Sequence, residues 1–306
     1  MHPAFSVIFL TTLIGVGQGL FLALFGVEAA GVPAAPAFYV AGDVLALVFL
    51  GAGLVASFFH LGRPERAWRA AAMWRTSWLS REVIVLPVFM ALVALHGWAH
   101  YSAWEHTVAL GALTALVSLA LFYITAMNYV CIRFLQEWAT PLTIVNYTLL
   151  GCASGFTFAT LLAAVMEPGL AHPLALWAVI FTVAGFVSRA ASLVRNARLR
   201  RKSSLQTAIG IQHPHIAQKS QGFMGSSFNT REFFHGRSRE VVQGVKWTFL
   251  VLAFPAPVAL LLGAGDAAVV FAALAFVVQY AGLVAERWFF FAQAAHPQNL
   301  YYQAAS

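Results

Sequence analysis

Three consecutive stretches decide the fold: "VLALVFLGAGLVASFFHLG" (residues 44–62), "RPERAWRAAAMWRTSWLSRE" (63–82) and "VIVLPVFMALVALHGWAHYSAW" (83–104). The outer two contain no Asp, Glu, Lys or Arg, whereas the middle one holds five arginines and two glutamates. A helix needs about 20 mostly apolar residues to cross the roughly 30 Å hydrocarbon layer, where backbone groups find no water and must pair internally. The segment therefore reads as one span, a basic connection and a second span. Working outward, charge-free runs of at least 19 residues also occupy 1–27, 106–132, 138–166, 168–188, 247–265 and 267–285. Only 9% of the 306 residues are charged and 60% are hydrophobic, against about 25% charged in soluble domains. The expectation is an all-α, polytopic membrane protein forming a single integral domain. Its eight transmembrane helices are placed near 5–26, 39–59, 83–101, 107–131, 142–165, 172–193, 244–262 and 267–286.

The first run has no Lys or Arg and is long enough to span, so it reads as helix 1 and not as a cleaved signal. Cys131 and Cys152 form no CxxC pair, which excludes an iron–sulfur cluster or a Cys-type zinc site within this chain. Any electrons it handles come from a partner.

Basic residues in short loops stay on the cytoplasmic side. All 18 Lys and Arg fall in alternate connections: 60–82, the turn after helix 4, the long 189–246 segment and the end of helix 8. The other connections carry acids only, namely Glu28, Asp43, Glu105, Glu167 and Asp266. Both termini are thus expected in the cytoplasm, and the protein in a bacterial inner membrane. The outer connections, such as "LLGAGDAA" (261–268) and "MEPGLAHP" (166–173), are short. The net charge of +7 follows from this topology and gives no reason to invoke nucleic acid.

The densest polar cluster runs from His60 to Glu82. Pro64 suits the first turn of a helix, so residues 64–75 are expected to form a short interfacial helix with Trp68, Trp74 and Trp78 at headgroup depth. A basic, Trp-anchored loop in contact with lipid accounts for most of this composition. His60 and Glu82 are the exceptions, because each stands at the membrane boundary of its span on the same side, where an ionisable group points to function. A quinone head has two carbonyl oxygens that each gain a proton as electrons arrive. A His and a carboxylate at one membrane face are suited to that acid and base role. Arg63 and Arg81 flank them and suit negative charge on a reduced ring.

The segment "HLGRPERAW…SREV", the opening "MHPAFSVIFLTTLIGVGQGL" and the eight-helix count resemble the membrane anchor subunits of dimethyl-sulfoxide-reductase-type molybdoenzymes, over the whole chain. The resemblance implies that His60 and Glu82 serve a quinol site holding ubiquinone or menaquinone. It also implies two partners, a molybdopterin-bearing catalytic subunit and an iron–sulfur electron-transfer subunit. No haem is expected in the anchor, which would be inactive alone. In the sulfoxide reductases the HLG end of helix 2 faces outward, but the basic residues here place it inside. That orientation is similar to the quinone-linked sulfite dehydrogenases, so sulfite oxidation in the cytoplasm with quinone reduction is the expected activity. The alternative is a quinol-oxidising anchor of a sulfoxide or other oxyanion reductase.

The 189–246 segment begins "SRAASLVRNARLRRK" and ends "GFMGSSFNTREFFHGRSREVVQGVKW". One reading is a positive-inside anchor on anionic lipid; its aromatic content favours a surface for the iron–sulfur subunit. Arg66, Arg69, Arg231, Phe233, Phe234 and Arg237 are the expected docking residues. Gln18, between Gly17 and Gly19, reads as a packing amide or a hydrogen-bond partner of quinone. Asn128, with Tyr129 and Tyr123, is a candidate pocket wall. His96, His100 and His106 read as interfacial histidines, since a transmembrane b-type haem usually takes a His from each of two facing helices. A secondary transporter is the rival from another class; it would call for matched broken helices and mid-span charges. Only "FPAPV" (254–258) is expected to kink a helix.

Overall fold

The computed structural model describes residues 1–59, 61–217, 235–263, 265 and 268–297. Among them there is no strand. The helices are α1 (Phe5–Ala29), α2 (Pro36–Phe58), α3 (Trp78–Tyr101), α4 (Thr107–Val130), α5 (Pro141–Met166), α6 (Pro168–Ala197), a single turn α7 (Leu205–Ile209), α8 (Arg239–Leu252), α9 (Pro255–Leu262) and α10 (Ala268–Ala292). Counting α8 and α9 as one crossing, eight are long and apolar enough to span a membrane.

Local chemistry sets the helix ends. Proline occupies the first turn of α2, α5, α6 and α9, where its missing N–H costs nothing. Ser77 caps α3 by accepting the Ser80 N–H at 3.3 Å. Inside the spans, hydroxyls fold back on their own helix: Thr12 to Ile8 O, Thr157 to Ala153 O and Thr182 to Ala178 O, at 2.7–2.8 Å. Such bonds keep polar groups satisfied where no water reaches.

The centre of the bundle is α1 against α5. Gly15 and Gly19 on α1 face Gly151 and Gly155 on α5, and a Cβ added at Gly19 would lie 2.2 Å from Gly151 O. Small residues at this spacing let two backbones touch, which substitutes for the hydrophobic drive that lipid cannot supply. On its other side α1 meets α2, where Gly17 accommodates Leu50 and Ala46.

The proline pair does interrupt a helix. The chain breaks at Ala253 and Phe254 between α8 and α9, because Pro255 and Pro257 have no N–H to continue the ladder. Gly282 of α10 lies against the break, and Gln279 Nε2 donates to Thr182 Oγ1 at 2.9 Å and reaches Ala253 O at 3.5 Å.

Three expectations need correction. α3 begins at Trp78, five residues before the expected start, so Glu82 lies within the helix. Asp43 is not a connecting acid: it sits inside α2 and is buried. Charged residues also occur within the spans. Arg189 in α6 and Glu286 and Arg287 in α10 are all buried.

Candidate functional site

The cap at Ser77 sets the phase of α3, and the second turn then points Glu82 at α4. Thr125 and Asn128, three residues apart on one face of α4, both meet it. Thr125 Oγ1 donates to Oε1 at 2.7 Å, and Asn128 Nδ2 donates to Oε2. Glu82 is only 7% exposed, and both of these donors are neutral. A carboxylate taken out of water needs such bonds.

Glu82, Leu10 and Leu79 line two cavities at once. One, of about 260 Å³, is apolar and is walled by Leu54, Phe58, Leu61, Trp68, Leu86 and Pro87. The other, of about 450 Å³, adds Thr11, Trp78, Thr125, Asn128 and Tyr129. Behind the second, Thr11 and Thr125 also border a chamber of about 20 Å³ lined by Gln18, Tyr147 and Arg287, enough for about one water. The carboxylate thus stands where an apolar slot, a more polar cleft and a buried polar interior converge.

The expected residues distribute unevenly around it. Asn128 is in the wall and bonded to Glu82. Gln18, 1% exposed, lies one layer deeper, in the small chamber. Arg81 is turned away: its guanidinium donates to Trp74 O at 2.9 Å and Arg75 O at 2.8 Å, and lies 4.1 Å over the Trp78 ring. It thereby closes the end of the short helix expected over 64–75, which forms as a 3₁₀ segment at Pro64–Met73. Arg63 is exposed and lines neither cavity. Tyr129 lines the cleft, whereas Tyr123 packs on Trp78. Arg66, Arg69 and Arg237 are exposed. His60, Arg231, Phe233 and Phe234 lie outside the described residues, as does Asp266.

Two buried polar clusters escaped the sequence reading. Glu286 is held by Arg189 Nε at 2.7 Å and by Arg287 Nε at 3.6 Å, and Arg287 sits 3.7 Å over the Tyr147 ring. The signal was present: the pair Glu286–Arg287 is flanked by "AGLVA" and "WFFFA", an apolar context foreign to a loop. The second cluster joins the buried His96 to Asp43 and Glu28, with His100 beside them.

Eight apolar crossings with a carboxylate-lined slot at one end define a multi-pass membrane protein with a site beside its basic connection. The chain matches the family described as DMSO reductase anchor subunit (DmsC) over residues 1–292, and it belongs to that family. It is accordingly the membrane anchor subunit of an oxidoreductase complex. Among individual proteins it is similar to a sulfite dehydrogenase subunit of Allochromatium vinosum, 54% identical over 329 aligned residues that cover 100% of both chains.

Proposed function

We propose that this chain is the anchor and quinone-reactive subunit of a heterotrimeric sulfite-oxidising complex in the bacterial inner membrane. Electrons released by a cytoplasmic molybdopterin subunit would pass through an iron–sulfur subunit to quinone beside Glu82. The observation that carries the reading is the placement of Glu82 between the apolar slot and the polar cleft. The slot fits the group: Leu54, Phe58, Trp68 and Pro87 offer flat and aliphatic walls for a ring and its tail, with a carboxylate at one edge.

Quinone supplies a two-electron acceptor whose reduction consumes two protons. Glu82 holds a proton at one carboxyl oxygen and releases it toward the slot, while Thr125 and Asn128 stabilise the carboxylate that remains. The cleft, bordered by Thr11 and Ser77, gives the carboxyl a polar side from which to be reprotonated. The exposed Arg66 and Arg69 on the 3₁₀ segment, with Arg237 ahead of α8, form the basic surface proposed to dock the iron–sulfur subunit. The sulfite assignment is supported by the similarity to the Allochromatium vinosum sulfite dehydrogenase protein and by the distribution of basic residues, which favours a cytoplasmic position for this end.

The test is sulfite-dependent quinone reduction by the purified complex. Glu82→Gln and His60→Ala should each lower it by about 100-fold or more while leaving sulfite oxidation by a soluble dye intact. Wild-type quinone reduction in both variants would refute the site. A periplasmic reporter signal from a fusion after Ser306 would refute the orientation.

A further inference from the structure

At the other end of α3, fourteen residues or about 21 Å along the helix from Glu82, two histidines and a carboxylate converge. His96 and His100 are spaced i, i+4 and so share one face; Glu28 reaches them from the last turn of α1. His96 Nε2 lies 3.2 Å from Glu28 Oε2, and His100 Nε2 lies 3.2 Å from Glu28 Oε1. One ligand atom from each of the three residues can be chosen so that all lie within 4.8 Å of one another.

We propose that Glu28, His96 and His100 form a binding site for a divalent transition-metal ion of the zinc type. Ligands at about 2.0–2.1 Å from a tetrahedral ion stand about 3.3 Å apart, close to both Glu28–His spacings. Two imidazoles and one carboxylate are a zinc donor set, with too few oxygens for calcium and no thiolate for a softer ion. His96 carries the support that metal-bound imidazoles need: its Nδ1 is 2.7 Å from Asp43 Oδ2, and with Nδ1 donating there the Nε2 lone pair is turned toward Glu28 Oε2, 3.2 Å away. Gly97 makes that approach possible, since a Cβ there would come within 3.2 Å of Asp43 Cβ. Tyr39 stacks on His100 and Phe21 packs edge-on against His96, so both rings are held in place. Independently, Glu28 Oε1 and His100 Nε2 are buried and neither has a hydrogen-bond partner, although they are only 3.2 Å apart. They are close without being aligned to one another, as two ligands of a shared ion would be. An ion there pins α1 to α3, with α2 held through Asp43, at the end opposite the quinone slot.

The test uses the purified complex, stripped with chelator and then titrated with Zn²⁺ or Co²⁺. The expected results are one Zn²⁺ per chain, visible ligand-field bands of tetrahedral intensity with Co²⁺, and a rise in unfolding temperature on Zn²⁺ addition. Glu28→Gln and His100→Gln should each remove the Co²⁺ bands, and Asp43→Asn should weaken binding about 10–100-fold. His100 is at the rim, with its side chain 10% exposed, so His100→Gln is the variant least exposed to a folding defect. Its unfolding temperature should equal that of the chelated wild type. Absence of stoichiometric metal in the wild type, or Zn²⁺ affinity unchanged in His100→Gln, would overturn the site and leave a protonated His96 bridging two carboxylates as its explanation.

Discussion

Glu82 and Glu286 are both buried carboxylates, 7% and 1% exposed, yet their surroundings have little in common. Glu286 stands between two arginine guanidinium groups, with Tyr147 and Phe290 packed on Arg287. Glu82 is bonded by a threonine and an asparagine, and it borders two cavities. A carboxylate fixed by neighbouring cations is tied into the packing of its helices. One held by neutral donors beside open space can take up and give back a proton. The first arrangement locks α6 to α10, and the second is available for chemistry.

This contrast can be broken by exchanging the consequences. The largest effect is expected at Glu82→Gln, which removes the proposed proton carrier and should lower sulfite-driven quinone reduction by about 100-fold or more. The unfolding temperature of the complex should barely change; a collapse in stability would make Glu82 another structural carboxylate. Glu286→Gln should do the reverse. It leaves two buried guanidinium groups without a counter-charge, a loss of about 3–5 kcal/mol, measurable as a lower unfolding temperature, with turnover per assembled complex retained. Asn128→Leu removes one charge-assisted bond to Glu82 and should reduce quinone turnover about tenfold. Smallest is Arg81→Ala, which loses the Trp78 contact and the two carbonyl bonds of the 3₁₀ segment, for about 1 kcal/mol. A turnover defect there as large as that of Glu82→Gln would return Arg81 to the site.

The spans were legible because composition alone separates lipid from water as a solvent, and the α8–α9 break was legible because proline removes a donor wherever it stands. Glu82 and Asn128 were legible as candidates because ionisable and amide groups are costly near hydrocarbon. The sequence could not reveal that Arg81 folds back on Trp74 and Arg75, since that depends on where α3 begins. Asp43, Arg189 and Arg287 were misplaced for a related reason. Taking each charge as the end of a span assumes that charges stay wet, and a charge whose partner comes from a distant helix violates that assumption. Asp43 finds His96 across 53 positions, and Arg189 finds Glu286 across a much longer interval. Only the folded bundle brings either pair together.

The glycine seam between α1 and α5 also bears on how the protein is made. α1 leaves the ribosome before α5, but the surface that Gly15 and Gly19 require is supplied by Gly151 and Gly155, more than 130 residues later in synthesis. Until then α1 waits in lipid with its close-packing face unmatched and Gln18 without its final surroundings. The bundle is therefore assembled around its oldest helix only after its fifth has been inserted. A chain arrested after α4 would hold four inserted helices without the partner that seats the first.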